Sequence, residues 1–172
     1  MKKSVYLTLI VLFVFTLNAC ATVTPQPINE ATPQSTDEMI NPGDKIGDFL
    51  ITTGKDGDFK PRWDLDWIEK GDGENVICNT TVGTNISPSF GIYGSNLEEK
   101  WLNHKYDMFI EDRPVNLQAF GYIDISYPNV GKMRLWNVVI VATKPGEISI
   151  RDSGSLDGES FETLITFIFS PQ

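Results

Sequence analysis

Cysteine and histidine are nearly missing from this chain. Its 172 residues include two cysteines, Cys20 and Cys78, and one histidine, His104. So few thiols exclude a disulfide-stapled scaffold, and no paired-cysteine motif exists to hold zinc or an iron–sulfur cluster. A Ser-His-Asp or Cys-His hydrolase would have to use His104 as its base, yet no G-x-S-x-G elbow accompanies it. His104 follows a short helical stretch and precedes a strand, which predicts a surface or edge position. Positive charge is scarce as well. There are 14 Lys and Arg against 23 Asp and Glu, a formal charge of −9. Such a body repels phosphate backbones and anionic headgroups, so nucleic acid is not an expected partner and no basic patch can hold a membrane. A long apolar run is missing too. The greasiest stretch, residues 5–17, spans 13 residues and is broken only by Thr8 and Thr16. A membrane-spanning helix needs roughly 20.

What that stretch does have is the form of an export signal. Lys2 and Lys3 give a positive start, and the apolar run has signal-core length with no polar stripe for the outer face of a buried helix. It ends in Leu17-Asn18-Ala19-Cys20. This quartet resembles the lipobox of bacterial lipoproteins. The resemblance implies cleavage before Cys20, diacylglycerol on its thiol and acylation of the new amino group. Two or more acyl chains make anchoring stable where one is marginal, at about 0.8 kcal/mol per buried methylene. Ala21 lacks the acidic identity that the family uses for inner-membrane retention, which points to the outer membrane or cell surface. The expected address is extracytoplasmic, with the membrane reached through the lipid at Cys20. Cleavage there leaves 12 basic against 23 acidic residues, or −11.

Residues 20–41 follow the signal peptide of residues 1–19. This segment has three prolines, many Thr and Gln, and no aromatic residue. It cannot bury enough apolar surface to offset its ordering entropy, and it reads as a disordered, lipid-anchored tether.

From residue 42 to 172 the pattern changes to alternation with period two, the mark of strands with one buried face. Phe49 and Ile51 begin it. Trp63, Leu65 and Trp67 alternate with Asp64 and Asp66. Val76, Cys78, Thr80 and Val82 share one parity, as do Tyr106, Met108 and Ile110; Val115, Leu117 and Ala119; and Ile123, Ile125 and Tyr127. Residues 135–142 (LWNVVIVA) are almost continuously apolar, as for a central strand covered on both sides. Ile148 and Ile150, then Phe161, Ile165, Phe167 and Phe169, complete the series. Residues 111–114 (EDRP) form a turn. Lys144-Pro145-Gly146-Glu147 fits a type II turn, and residues 152–160 (DSGSLDGES) a polar loop. Only residues 96–103 (NLEEKWLN) look helical, with Asn96 or Ser95 as cap and acids in the first turn. About eight short strands with turns every 8–12 residues predict an all-β, antiparallel β-sandwich with one short helix. Residues 138–169 (VVIVATKPGEISIRDSGSLDGESFETLITFIF) resemble the closing strands of bacterial immunoglobulin-like domains, without their paired cysteines or tyrosine corner. The resemblance implies the sandwich and carries no activity.

Candidate chemistry is sparse. Cys78, alone once Cys20 is acylated, sits on the parity of Val76 and is expected to be a small buried hydrophobe. Asp64 and Asp66 would share a strand face about 7 Å apart, the right order for a general acid–base pair and equally the spacing of solvated positions. Hard oxygen donors for calcium occur at Asp56 and Asp58, in the 71–74 loop (GDGE), and at Asp152, but none has the EF-hand spacing, and Asp-Gly pairs are common turn formers. Trp63, Trp67, Trp101 and Tyr93 could stack on sugar rings, with Trp101 the freest; Trp63 and Trp67 also alternate as core residues should. No catalytic residue and no required cofactor is assigned. The expectation is a non-enzymatic envelope module that binds a protein or polysaccharide. A carbohydrate-binding module and a small carboxylate-dependent hydrolase are the alternatives.

Overall fold

A computed structural model of the chain describes residues 39–70 and 75–172, and no side chains at 67–70 or 75. The expected signal peptide, Cys20, most of the tether, the 71–74 loop and the side chain of Trp67 lie outside the described residues. The fold is all-β. Two large sheets pack together, a smaller third sheet joins them, and helix is confined to short pieces. Among the described residues, no helix is long and apolar enough to cross a membrane.

The five-stranded sheet contains β1 (Lys45–Ile46), β2 (Phe49–Thr52), β3 (Lys60–Pro61), β6 (Asn85–Ser87) and β12 (Val139–Ala142), in the order β1-β2-β12-β6-β3. The six-stranded sheet contains β4 (Asp66–Lys70), β5 (Asn75–Thr81), β8 (Lys105–Ile110), β9 (Arg113–Pro114), β13 (Gly146–Leu156) and β14 (Glu159–Ser170), in the order β4-β5-β14-β13-β8-β9. Most neighbours run antiparallel, but β14 pairs with β5, and β3 with β6, in parallel. Between the two sheets, Phe49, Ile51, Ile86 and Ile140 meet Cys78, Ile110, Ile150, Ile165 and Phe167 in one core. The rings of Phe49 and Phe169 lie 5.5 Å apart. These are the inward positions of the alternation, so the hydrophobic pattern fixes the register of each strand. Cys78 is fully buried there, with a free thiol.

The third sheet, β10-β11-β7, is built from β7 (Gly91–Tyr93), β10 (Tyr122–Tyr127) and β11 (Gly131–Trp136). Ile125, Met133 and Leu135 on one of its faces form a second cluster, with Phe59, Trp63 and Ile123 packed against it. Helix α1 (Leu97–Asn103) joins β7 to β8, and a single turn, α2 (Leu117–Phe120), follows β9.

Several expectations need correction. The apolar run 135–142 is two strands, not one. β11 ends at Trp136, and the chain crosses at Asn137-Val138 into the five-stranded sheet, where β12 is central. Asn137 holds the crossing: its N–H donates to Gly121 O at 2.9 Å and its Oδ1 accepts from Gly54 N at 3.0 Å. Trp63 and Asp64 lie in a 3₁₀ turn, Arg62–Asp64, and only from Asp66 is the chain extended in β4. Leu117 and Ala119 lie in α2, because Val115 ends the extended run with a parallel bridge to Ile40. Gly146 has no positive φ and starts β13, so the type II turn is not formed. Residues 152–156 are strand, not loop: β13 and β14 make one long hairpin, closed by Asp157 (φ 53°) and Gly158 (φ 87°) as a tight turn with both φ values positive. The folded body also begins earlier than residue 42, since Ile40 is fully buried.

Candidate functional site

Two charged clusters stand out, and both centre on an arginine. Pro61 enters the 3₁₀ turn in extended geometry, and the turn carries Arg62 inward. Its Nη1 meets Asp152 Oδ2 on β13 at 2.5 Å and also donates to Pro88 O at 3.2 Å. The Tyr106 hydroxyl on β8 donates to the same Asp152 oxygen at 3.0 Å and accepts from Phe90 N at 3.2 Å. Asp152 is fully buried, and its Oδ1 has no hydrogen-bond partner among the described residues. Burying two charges is costly, and only mutual attraction plus further hydrogen bonds offsets the loss of water. Burial, and after it the negative charge of Asp152, pushes the Tyr106 hydroxyl well above its ordinary range, with Arg62 opposing. Tyr106 therefore remains a donor. The network ties the 3₁₀ turn to β8 and β13.

The calcium candidates Asp56, Asp58 and Asp152 are not brought together. Asp152 sits on a strand with its charge matched by Arg62. Asp56 and Asp58 are exposed, and Asp58 Oδ2 accepts from Lys55 N at 3.2 Å across a turn, the ordinary use of such residues. Among the described residues, no three His, Cys, Asp or Glu side chains come together to hold a metal. Nor do Asp64 and Asp66 alternate along a strand. Asp64 lies in the 3₁₀ turn and accepts from the Tyr127 hydroxyl, which raises the Tyr127 pKa above its ordinary value; Asp66 opens β4.

The second cluster lies on the other face of the small sheet. Arg134 on β11 donates from Nε to Asp124 Oδ1 at 2.6 Å and from Nη2 to Asp124 Oδ2 at 2.8 Å. It also holds Glu98 of α1 through Nη1 and Nη2, both at 2.8 Å. Two bidentate carboxylates thus share one guanidinium, and this geometry exploits the planar fork that lysine lacks. The Arg134 side chain is only 5% exposed, and its guanidinium lies 4.2 Å from the Tyr122 ring centroid and 5.7 Å from that of Trp101. Its bonds hold the Glu98 and Asp124 carboxyls below their usual range.

Trp101 completes the cluster. It is 4.9 Å from Trp136, 5.4 Å from Tyr122 and 4.4 Å from His104, ring to ring, and the His104 Nδ1–H donates to Trp101 O at 2.5 Å. Its neighbours His104 and Trp136, with Phe90, Tyr106 and Phe161, line a shallow furrow too tight to hold a water molecule. Beside these rings α1 has no buried residue of its own, and Leu102 is 80% exposed.

Of the four expected ring residues, the three whose side chains are described, Trp63, Tyr93 and Trp101, are not brought together. Trp101 packs over the face carrying Arg134 and Tyr122. Tyr93 pairs with Met133 on the opposite face, where Trp63 stacks edge-on against Tyr127 at 5.8 Å. Sequence reasoning did not find Arg62, Arg134, Tyr106 or Tyr122. For Arg134 a signal exists: it is a lone arginine in the apolar alternation Met133-Arg134-Leu135-Trp136. For Arg62 and Asp152, 90 residues apart, there is no local signal. No family model matches the chain, and no curated protein or solved structure matches it.

Proposed function

We propose that this chain is a lipoprotein, held by acyl chains on Cys20 at the outer face of an envelope membrane, whose β-sandwich is a non-enzymatic module that binds a protein of that envelope. The observation that carries the binding reading is the rim of the Arg134 cluster. There Leu102 (80% exposed) and Tyr122 (52% exposed) stand beside a ring assembly fixed by ion pairs. Rigid aromatic anchors next to exposed apolar side chains are the composition of interface centres. The ring geometry favours protein over sugar: the planes of Tyr122 and Trp136 cross that of Trp101 at 58° and 49°, whereas a sugar platform presents rings side by side. The immunoglobulin-like character of residues 138–169 belongs to the same proposal; its support is the β13–β14 hairpin at the centre of the six-stranded sheet.

Two experiments test this. Radiolabelled palmitate should enter the wild-type chain and not Cys20→Ala; equal labelling would remove the anchor. A photo-crosslinking residue at position 102, activated in intact cells, should give a discrete protein adduct that is absent when the crosslinker is placed at position 144. An adduct of polysaccharide alone would overturn the protein-binding reading.

A further inference from the structure

We infer that β10 and β11 form a receptor for an acidic, aromatic helical segment of a partner protein, and that α1 is a built-in occupant which such a segment displaces. The inference rests on the binding reading above and names its site and the chemistry of its ligand.

The receptor half is built into the sheet. Asp124 and Arg134 are register partners on neighbouring strands, as are Tyr122 and Trp136, so the four side chains share one face. Asp124 fixes the guanidinium through Nε and Nη2. Nη1 and the remaining capacity of Nη2 are left pointing at a second carboxylate. The occupant half comes entirely from α1. Glu98 supplies that carboxylate, and three residues on, one helical turn away, Trp101 supplies the ring that lies against Tyr122 and Trp136.

The hold on α1 is modest. No residue of the helix is fully buried, although Trp101 packs partly buried against the main core; its seven residues are too few to be stable alone, and the Asn96 side chain makes no capping bond. Among the described residues it has one further ion pair besides Glu98, Lys100 Nζ to Asp157 Oδ2 at 3.1 Å, between a partly exposed and an exposed group. Such pairs contribute little. At its N-terminal side Gly94 takes φ +121°, a left-handed conformation that leaves the α1 entry without a side chain of its own, and the nearest side-chain atom is Lys100 Nζ at 3.9 Å. The receptor is therefore rigid and its occupant replaceable. The charge selects the ligand: an arginine already matched by one acid accepts one more carboxylate, not a phosphate cluster, and the stacked rings demand an aromatic residue one turn from it.

The probe is a synthetic peptide of residues 95–104 (SNLEEKWLNH), titrated into the ¹⁵N-labelled full chain. In the variant E98A/W101A, which empties the receptor, Arg134 and Tyr122 resonances should shift saturably. Binding should be at least tenfold weaker to the wild type, whose own α1 competes, and at least tenfold weaker when the peptide carries Trp101→Ala. No shift in the emptied variant, or equal binding to both chains, overturns the inference. Concentration-dependent dimers of the wild type that vanish in E98A/W101A would make a second copy the occupant and overturn the assignment to a partner. If the double variant does not fold, hydrogen exchange on the wild type decides. Amides of α1 exchanging at least a hundredfold faster than those of β11 support a displaceable occupant; equal protection overturns it. Failure of the crosslink at position 102 with peptide binding intact removes the functional reading alone, and the reverse removes the receptor alone.

Discussion

The buried pair of Arg62 and Asp152 is the residue-level feature with the largest energetic consequence. Removing one partner strands the other charge away from water, so Asp152→Ala should lose about 3–5 kcal/mol of stability in urea unfolding. Replacing both with apolar residues of similar size, Arg62→Met with Asp152→Leu, should recover most of that loss, because neither charge then needs desolvation. A double variant no more stable than Asp152→Ala would show that the other contacts of the network matter more than the charges. Cys78 reports on the same core. Burial pushes its thiol up to about 11, with the charge of Arg62 drawing it slightly back. The thiolate is the reactive form. A thiol reagent at neutral pH should therefore leave Cys78 unmodified in the folded chain and modify it fully in denaturant. The expectation that Cys78 is a small hydrophobe came from its parity with Val76 alone. No such local rule reaches Arg62 and Asp152, since a charge inside a core is intelligible only once its distant partner is known.

At the scale of elements, α1 is the part whose stability should follow pH. Arg134 lowers the carboxyl pKa of Glu98 from 4.5 and of Asp124 from 3.8, with Lys132 helping at Asp124. A lowered folded-state pKa gives stability that is present above the ordinary value and is lost as pH falls through the folded one. The hold on α1 should be intact at neutral pH and weaken below about pH 4, where the unfolded carboxyls protonate. Hydrogen exchange should show α1 losing protection in that range before β13 and β14 do; α1 and the hairpin loosening together would contradict the assignment. The hairpin itself shows what alternation can and cannot disclose. Ile148, Ile150, Ile165 and Phe167 mark its buried face, and the strands form there as expected. Residues 152–156 mimic a loop because the inward positions hold Asp152 and Gly154 in place of apolar residues. Asp152 is there for Arg62. Gly154 is there because a Cβ would come within 2.2 Å of Lys105 O on β8 and 2.9 Å of the Phe161 ring. Gly154→Ala should therefore separate β13 from β8 at a cost of about 1–3 kcal/mol, measurable as a lowered urea midpoint. Polar composition concealed a strand in this stretch, and apolar continuity concealed a strand break at Asn137.

For the whole molecule, the question is how the β-sandwich is joined to the segment that precedes it. The composition of residues 20–41 predicts an extended leash, and its last residues prove to be structural. Ile40 is fully buried in the main core and bridges Val115 in parallel. Its N–H donates to Pro114 O at 2.9 Å, and its carbonyl accepts from Asn116 N at 3.0 Å. Asn116 Nδ2 adds a bond to Asn41 Oδ1 at 2.9 Å. Composition could not reveal this, because one isoleucine among Thr, Gln and Pro does not register as a core residue until the groove that receives it exists. The consequence is mechanical. Under the proposed anchoring at Cys20, Ile40 is the first buried side chain among the described residues to resist tension, with backbone hydrogen bonds on both sides of it. Ile40→Ala keeps those hydrogen bonds and removes the side chain from the core, so it should cost about 2–5 kcal/mol in equilibrium unfolding, as for a core isoleucine. Met39→Ala, at a residue 49% exposed, should cost far less. Near-equal small effects would mean that the segment merely rests on the domain, and that the folded unit starts at Pro42.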